Sequence, residues 1–544
     1  MKPLQTDRTQ DRAQDRAQDR AQLLARLASV EEFDLVVIGG GATGLGTAVD
    51  ASVRGLKVLL VEAHDFAKGT SSRSTKLIHG GVRYLAQGHL PLVWEALHER
   101  QNLLRNAPHV TQAMPFIMPA YRRRDQWFYG LGLKLYDLLA GRARLGATRL
   151  LSRAQTLLAA PGARITHLVG GVQYWDGQFD DARLALALAR TAAAHGAIVL
   201  NHMPVTGLMT LPATGKVCGV ACLDHETGIE YTVKARCVVN ATGVWVDDIE
   251  AMTHSQGADT VLAHVPQAVR PSQGVHLVVD ASFWPGDSAL LVPHTEDGRV
   301  LFAVPWQGKV LLGTTDTPKS TVEWEPQALA AEVDQILAEA AKYLVKPPAR
   351  SDVTSVWAGL RPLAGDQTSG AQAAAGTTKN VSREHTIKVA PSGLITVTGG
   401  KWTTYRAMAA DVMQSIRQAK LLSLTAEDVT VDLPLWGAKA PDPTEPYSAY
   451  SIYGTDGEEV KGLPGADQWL TPTLSEAMVR FAARNEYART VEDVLARRSR
   501  LLFLDAREAA RVAPAVAAIL SSEIQTDPQL AAFLALAQTY QLTG

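Results

Sequence analysis

Four groups of residues in this chain have types and spacings that could do chemistry together. The first is Gly39-x-Gly41-x-x-Gly44, which follows the apolar run 35–38 and opens a small-residue stretch; a second apolar run, 58–61, ends on Glu62. In such a pattern Gly39 permits the tight turn, Gly41 lets a pyrophosphate approach the backbone, and Gly44 lets helix and strand pack closely. The helix that starts around Thr43 offers free N–H groups and a positive dipole end to phosphates. Glu62 is placed to accept hydrogen bonds from a ribose hydroxyl. This is dinucleotide chemistry.

The second group, Thr70-Ser71-Ser72-Arg-Ser-Thr-Lys76-Leu-Ile-His79-Gly80-Gly81-Val-Arg83-Tyr84, is dense in hydroxyls, glycines, cations and an aromatic ring. Hydroxyls and backbone N–H groups suit a pyrophosphate or a flavin edge, and Gly80-Gly81 permits close backbone approach. On composition alone it also reads as a polar surface loop. The third group is Asn240-Ala241-Thr242-Gly243-Val-Trp245, where an apolar strand stops on a glycine turn; it follows another expected strand at 196–200 and an apolar turn through Val205. The fourth, Gly399-Gly400-Lys401-Trp-Thr403-Thr404-Tyr-Arg, repeats the device of strand, glycine pair and helix. Backbone at such strand ends lies at the carboxyl edge of a parallel sheet, where ligands of α/β folds bind.

These groups must be positioned by a sheet assembled from distant parts of the chain, because the fourth returns after a long excursion. Between them, the runs 275–279, 289–293, 300–305 and 309–313 read as short, mostly antiparallel strands of a second domain. Residues 92–106 read as an amphipathic helix. After about residue 425 a proline-containing linker precedes helices at 475–485 and 491–504, the second opened by Thr490-x-x-Asp493, which resembles a capping box.

At 544 residues the chain needs two or three cores. A net charge of −2 gives no reason to expect a nucleic-acid partner. Cys218, Cys222 and Cys237 lack the arithmetic and spacing of a disulfide framework, which fits a reducing compartment, and no motif asks for a metal. No uncharged apolar run approaches membrane-spanning length, and the N-terminus lacks the apolar core of a secretion signal. Residues 7–22 repeat Asp-Arg-Thr/Ala-Gln four times and read as a solvated tail, with partner binding or targeting as the other reading.

The four groups, together with Leu312-Gly-Thr-Thr-Asp316, Gly359-Leu-Arg-Pro362 and Ser382-Arg-Glu-His385, strongly resemble the FAD-dependent sn-glycerol-3-phosphate dehydrogenases across residues 31–510. Trp402 stands where many relatives carry an aliphatic residue. The resemblance implies an α/β fold: a discontinuous Rossmann-like FAD-binding domain (31–90, 160–250 and 390–425), an antiparallel-sheet substrate domain (91–159 and 251–389) and a C-terminal helical domain (426–544). Residues 1–30 are expected to be a flexible tail. The helical domain is a candidate assembly surface for a homo-oligomer.

It further implies noncovalent FAD and oxidation of the C2 hydroxyl of glycerol 3-phosphate to the ketone of dihydroxyacetone phosphate. Hydride passes to flavin N5 and electrons leave to a membrane quinone; a related oxidase, passing electrons to oxygen, shares much of the pattern. Arg361 is expected to orient and polarise the substrate oxygen, with Arg83 and Lys401 completing a cationic cradle walled by Tyr84. His79 and His276 are both candidates to take the hydroxyl proton, as are water and a phosphate oxygen. Arg383 reads as a further phosphate ligand or as a structural ion pair. The stretch 122–144 sets aromatic and leucine residues between basic clusters; it reads either as a helix in the headgroup zone or as a buried helix with basic ends. The resemblance implies peripheral attachment on the cytoplasmic, inner face of the cell membrane.

Overall fold

A computed structural model describes residues 20–86, 88–253, 268–293, 300–364, 385–440 and 448–542. Arg383 lies outside them, as do residues 1–19, which include 7–19 of the repeat; Arg83 is described only in its backbone, within the short helix Val82–Ala86.

The first sheet is built on β1 (Phe33–Ile38), which pairs in parallel with β2 (Val58–Val61) on one side and β10 (Glu230–Asn240) on the other. β7 (Ile198–Leu200) extends it beyond β2, and β18 (Ile395–Thr398) extends it beyond β10, both in parallel. The late strand therefore enters the same sheet as the glycine-rich turn. The four residues of β2 and the three of β7 are all buried, as a parallel sheet covered on both faces requires. Helix Ala42–Val53 packs on this sheet because Gly44 has no side chain: a Cβ there would lie 1.9 Å from the Gly39 carbonyl oxygen. Gly39 itself holds φ at +111°, a conformation glycine adopts at little cost.

The second sheet runs β15 (Thr317–Pro318), β11 (Val269–Asp280), β14 (Lys309–Gly313), β13 (Leu301–Trp306), β12 (Ala289–Val292), β4 (Thr111–Ala120), β6 (Gly170–Phe179) and β3 (Leu77–Ile78). The long strand β16 (Val353–Ala364) pairs antiparallel with β11, bringing Ser272 opposite Arg361 and His276 opposite Trp357. The strands expected between 275 and 313 form and pair antiparallel.

Several boundaries differ from the expectation. β6 lies in the second sheet, although residues 160–250 were assigned to the nucleotide-binding domain, and β3 crosses the same way from 31–90. Conversely β17 (Thr386–Val389) pairs with β18 in the first sheet, not in the substrate domain. Each strand follows its pairing partner rather than its neighbours in sequence. Residues 20–29 also depart from the expected tail. Residues Arg20–Ser29 form a helix whose Leu23, Leu24 and Leu27 are buried against the first core, while Arg20 pairs with Asp224 at 2.5 Å.

The C-terminal unit packs helices Glu476–Asn485, Ala506–Glu523 and Leu530–Thr539. The Thr490–Asp493 capping box is present: Asp493 N–H donates to the Thr490 hydroxyl at 3.1 Å, and Thr490 N–H donates to the Asp493 carboxylate at 2.9 Å. The helix expected over 491–504 is broken. A wide turn at Asp493–Arg498 gives way to Arg500 at φ +64°, and the helix restarts at Leu501–Leu504.

Candidate active site

A cavity of about 1700 Å³ runs from the carboxyl ends of β1, β2, β10 and β18 to the face of the second sheet. At its nucleotide end Gly39, Gly41 and Thr43 line it together with Glu62. The Glu62 carboxylate already accepts Gly40 N–H at 2.7 Å and His64 N–H at 2.9 Å. Burial pushes its carboxyl up from the ordinary value while those donors pull it back. Thr70 and Ser71 line the same stretch. The Thr70 hydroxyl donates to the Leu360 carbonyl. Ser71 Oγ accepts Ala42 N–H at 3.0 Å, and its carbonyl accepts the Trp402 indole N–H at 2.7 Å. Trp402 thus ties the turn after Gly400 to the hydroxyl-rich loop at Ser71. Val205, Ala241, Thr242, Gly243, Trp245, Gly399, Gly400 and Thr403 complete this part of the wall.

At the other end the cations converge. Arg361 lines the cavity from β16, its guanidinium donating to Thr314 Oγ1 at 2.9 Å and the Thr315 carbonyl at 3.0 Å, with Asp316 Oδ1 at 3.4 Å. Lys401 Nζ sits 3.9 Å from the Tyr84 ring centroid. His79 and Gly81 line the wall beside them. His276, 2% exposed, has Nε2 2.9 Å from the Thr75 hydroxyl and stacks on Trp357 at 4.2 Å. Its Nδ1 is buried and has no hydrogen-bond partner among the described residues. Burial, with Lys76 and Arg361 nearby, holds this imidazole well below its ordinary value, so it is neutral near pH 7.

Five residues expected at the cofactor stand behind the wall or serve it indirectly. Gly44 packs helix on strand. Ser72 is fully buried and offers its carbonyl to Lys76 and Arg500, each at 2.7 Å. Lys76 faces away from the cavity, with Nζ 2.7 Å from Asp181 and ringed by Trp306, Trp357 and Phe503 at 4.9 to 5.5 Å. Its positive φ of 64° turns the side chain inward, and burial lowers its ammonium to about 7. Gly80 donates its N–H to the Tyr136 hydroxyl at 2.8 Å. Thr404 closes the turn onto the Lys401 carbonyl at 3.4 Å.

Some cavity residues escaped the sequence. Thr314 and Asp316, which hold Arg361, were visible only as part of a motif without a role. Phe116, Met118, Tyr174 and Phe302 form an apolar wall that reads as ordinary strand core. The helix Arg123–Ala140 settles between its two readings: Gly130, Leu133, Tyr136 and Ala140 are buried, while Trp127, Phe128, Leu131 and Leu138 are 68 to 75% exposed. Phe128, Leu131 and Leu138 also line the cavity. Among the described residues no helix is long and apolar enough to cross a membrane.

A parallel sheet with a glycine turn, a strand-end acid and a substrate sheet closing over one shared cavity defines a nucleotide-cofactor oxidoreductase. Comparison makes this specific. The FAD dependent oxidoreductase family matches residues 34–406, and the C-terminal domain of alpha-glycerophosphate oxidase matches residues 450–530. The mitochondrial glycerol-3-phosphate dehydrogenase of Homo sapiens is 40% identical, over 93% of this chain and 72% of that protein. The Schizosaccharomyces pombe mitochondrial glycerol-3-phosphate dehydrogenase is 38% identical, over 93% and 86%. The solved glycerol-3-phosphate dehydrogenase from Bacillus halodurans, complexed with FAD, has a TM-score of 0.74 at 30% identity and covers 96% of each chain. The chain belongs to the FAD-dependent glycerol-3-phosphate dehydrogenases.

The residues present fit FAD. The Gly39–Gly41 turn and the N-terminus of helix Ala42–Val53 bring backbone without bulky side chains to the cavity at one end, and the long cavity continues to Lys401 and Arg361 at the other.

Proposed function

We propose that this chain oxidises sn-glycerol 3-phosphate to dihydroxyacetone phosphate and delivers the electrons to a membrane quinone. The observation that carries the reading is the convergence of Arg361, Lys401, Tyr84 and His276 on the cavity that also holds the dinucleotide turn. Bound FAD supplies the hydride acceptor. Everything else is asked of the chain's own side chains.

Arg361 is braced by Thr314, Thr315 and Asp316, so its fork is oriented before substrate arrives. It holds the C2 oxygen, where negative charge develops as the hydroxyl proton leaves and from which the ketone forms as the hydride departs from carbon. Lys401 and Arg83 meet the phosphate, with Tyr84 as a wall that keeps the ammonium in place; Arg383 is a further candidate for the phosphate. His79 and His276 are the imidazoles at this wall that would take the hydroxyl proton, and the neutral form of His276 is the form able to accept it.

The exposed face Trp127–Leu138, flanked by Arg122, Arg123, Arg124, Arg142 and Arg144, supports seating on an anionic lipid surface at the inner side of the cell membrane. Because four of its exposed apolar side chains, Phe128, Leu131, Leu135 and Leu138, also line the cavity, an apolar acceptor could pass from lipid toward the flavin without crossing water. Comparison of acceptors tests the electron route. Substrate oxidation coupled to a quinone analogue, with little peroxide formed in air, is the expected result. Stoichiometric peroxide without quinone reduction would assign an oxidase instead.

A further inference from the structure

Trp324 lies in the loop between β15 and helix Ala330–Tyr343 of the substrate domain, outside every motif read from the sequence. Its indole stacks on that of Trp245, with centroids 3.8 Å apart and planes at 14°. The His64 ring also meets it edge-on, at 4.3 Å. His64 follows Glu62 by two residues and donates its backbone N–H to that carboxylate. Trp245 lies over Gly69, where an added Cβ would approach the indole to 3.0 Å. Three rings from three chain segments thus bridge the end of β2 and the turn after β10, and the two indoles line the cavity.

The next residue anchors the arrangement. Glu325 pairs with Arg73 at 2.7 Å and Lys68 at 3.4 Å, and it accepts the Tyr540 hydroxyl at 3.1 Å. Trp324 itself is 40% exposed, so core burial does not fix it; the stack and the Glu325 anchor do. Burial and Lys68 hold the His64 imidazole down to about 4, which keeps the ring uncharged against the indole at neutral pH.

We propose that Trp324 is a cofactor-retaining residue, closing with Trp245 and His64 an aromatic clasp over the adenosine half of bound FAD. The proposal rests on the FAD site described above and adds to it a residue from the opposite domain. The Glu62 end marks where the ribose sits, and the clasp spans from that end across the neighbouring loop. Contact with the two indoles that line the cavity stabilises the bound cofactor, so its loss falls on the rate of release more than on the rate of capture.

The test is FAD release from diluted holoenzyme, followed by the rise in free-flavin fluorescence, in wild type, Trp324→Ala and Trp324→Phe. Release about three- to tenfold faster is expected for the alanine variant, the factor an aromatic pair is worth, with phenylalanine close to wild type. The alanine variant loses its ring contacts in the apoprotein as well, so both forms are expected to unfold earlier, with the holo form losing more than the apo form by the lost cofactor contact. Release at the wild-type rate in Trp324→Ala, or equal loss of stability in apo and holo forms, would overturn the clasp and leave a packed loop. Should Trp324→Ala fail to fold, His64→Ala removes the edge-on ring from the clasp, and unchanged release there overturns it equally. A wild-type protein that carries no flavin would overturn the cofactor site itself, a result distinct from either.

Discussion

Gly274 and Arg361 occupy one space: a Cβ added at Gly274 would lie 2.3 Å from Arg361 Nη2. β11 therefore leaves a gap in its side-chain row so that the guanidinium of β16 can cross to Thr314 and Asp316 and still face the cavity. Gly274→Ala must push the fork out of this seat. The expected result is a fall in kcat/KM for glycerol 3-phosphate of about ten- to a hundredfold, the worth of hydrogen bonds to a charged group, with FAD content unchanged. Arg361→Lys is expected to fall as far, because a point charge cannot make the braced fork. Steady-state kinetics on flavin-loaded protein check both.

Lys401 and Tyr84 make a second, separable pair. Tyr84→Phe keeps the ring beneath the ammonium, so KM is expected to change less than about threefold, whereas Tyr84→Ala is expected to raise it further by loosening Lys401. Lys401→Met is expected to raise KM about tenfold or more through the lost phosphate contact. A Tyr84→Ala variant with unaltered KM would remove Tyr84 from the substrate wall.

His202 and Asp493 tie the nucleotide domain to the C-terminal helices at 3.0 Å. Against the burial that would lower it, Asp493 raises the His202 imidazole above its ordinary 6.5, while the Asp493 carboxyl is held well below its ordinary 3.8 despite its own burial. The histidine's contribution is complete below 6.5 and is lost as pH rises through its raised value. The aspartate's is complete above 3.8 and is lost as pH falls through its lowered value. Thermal unfolding of wild type and His202→Gln should therefore differ most between these two ordinary values, and the gap should narrow toward pH 9. A gap that grows with alkalinity would contradict a charged histidine in this pair.

Trp127 is 68% exposed and stands outside the cavity lining, which makes it the cleanest probe of membrane seating. Trp127→Ser is expected to weaken binding to anionic vesicles by roughly tenfold, an aromatic ring's worth of buried apolar surface. Turnover with a water-soluble dye should be retained. High salt should weaken the wild type as well, since the flanking arginines are screened. Vesicle co-sedimentation with and without salt reads both effects.

How far the sequence carried this reading can be judged from particular residues. Gly39, Gly41 and Gly399 were legible from their spacing behind apolar runs, and Gly39 and Gly399 do hold positive φ, at +111° and +75°. Lys76 and Ser72 looked like cofactor groups because they share a hydroxyl- and cation-rich loop with Ser71. Which side of that loop faces the cavity depends on Asp181 and Arg500, more than a hundred and more than four hundred residues away. Residues 170–179 were placed in the nucleotide domain for the same reason, since their partner strand Thr111–Ala120 is not signalled locally. Trp324 carries no periodicity and no motif; only the fold brings it to Trp245. The long cations Arg361 and Lys401 were legible through resemblance rather than spacing.

Anaerobic mixing of the purified, flavin-loaded protein with glycerol 3-phosphate reads hydride transfer to the flavin without any later acceptor. Rapid bleaching of the visible flavin band, recovered by a quinone analogue and slowed by about a hundredfold or more in Arg361→Ala, is the expected result. A bound flavin that stays oxidised in the presence of glycerol 3-phosphate would contradict the substrate assignment.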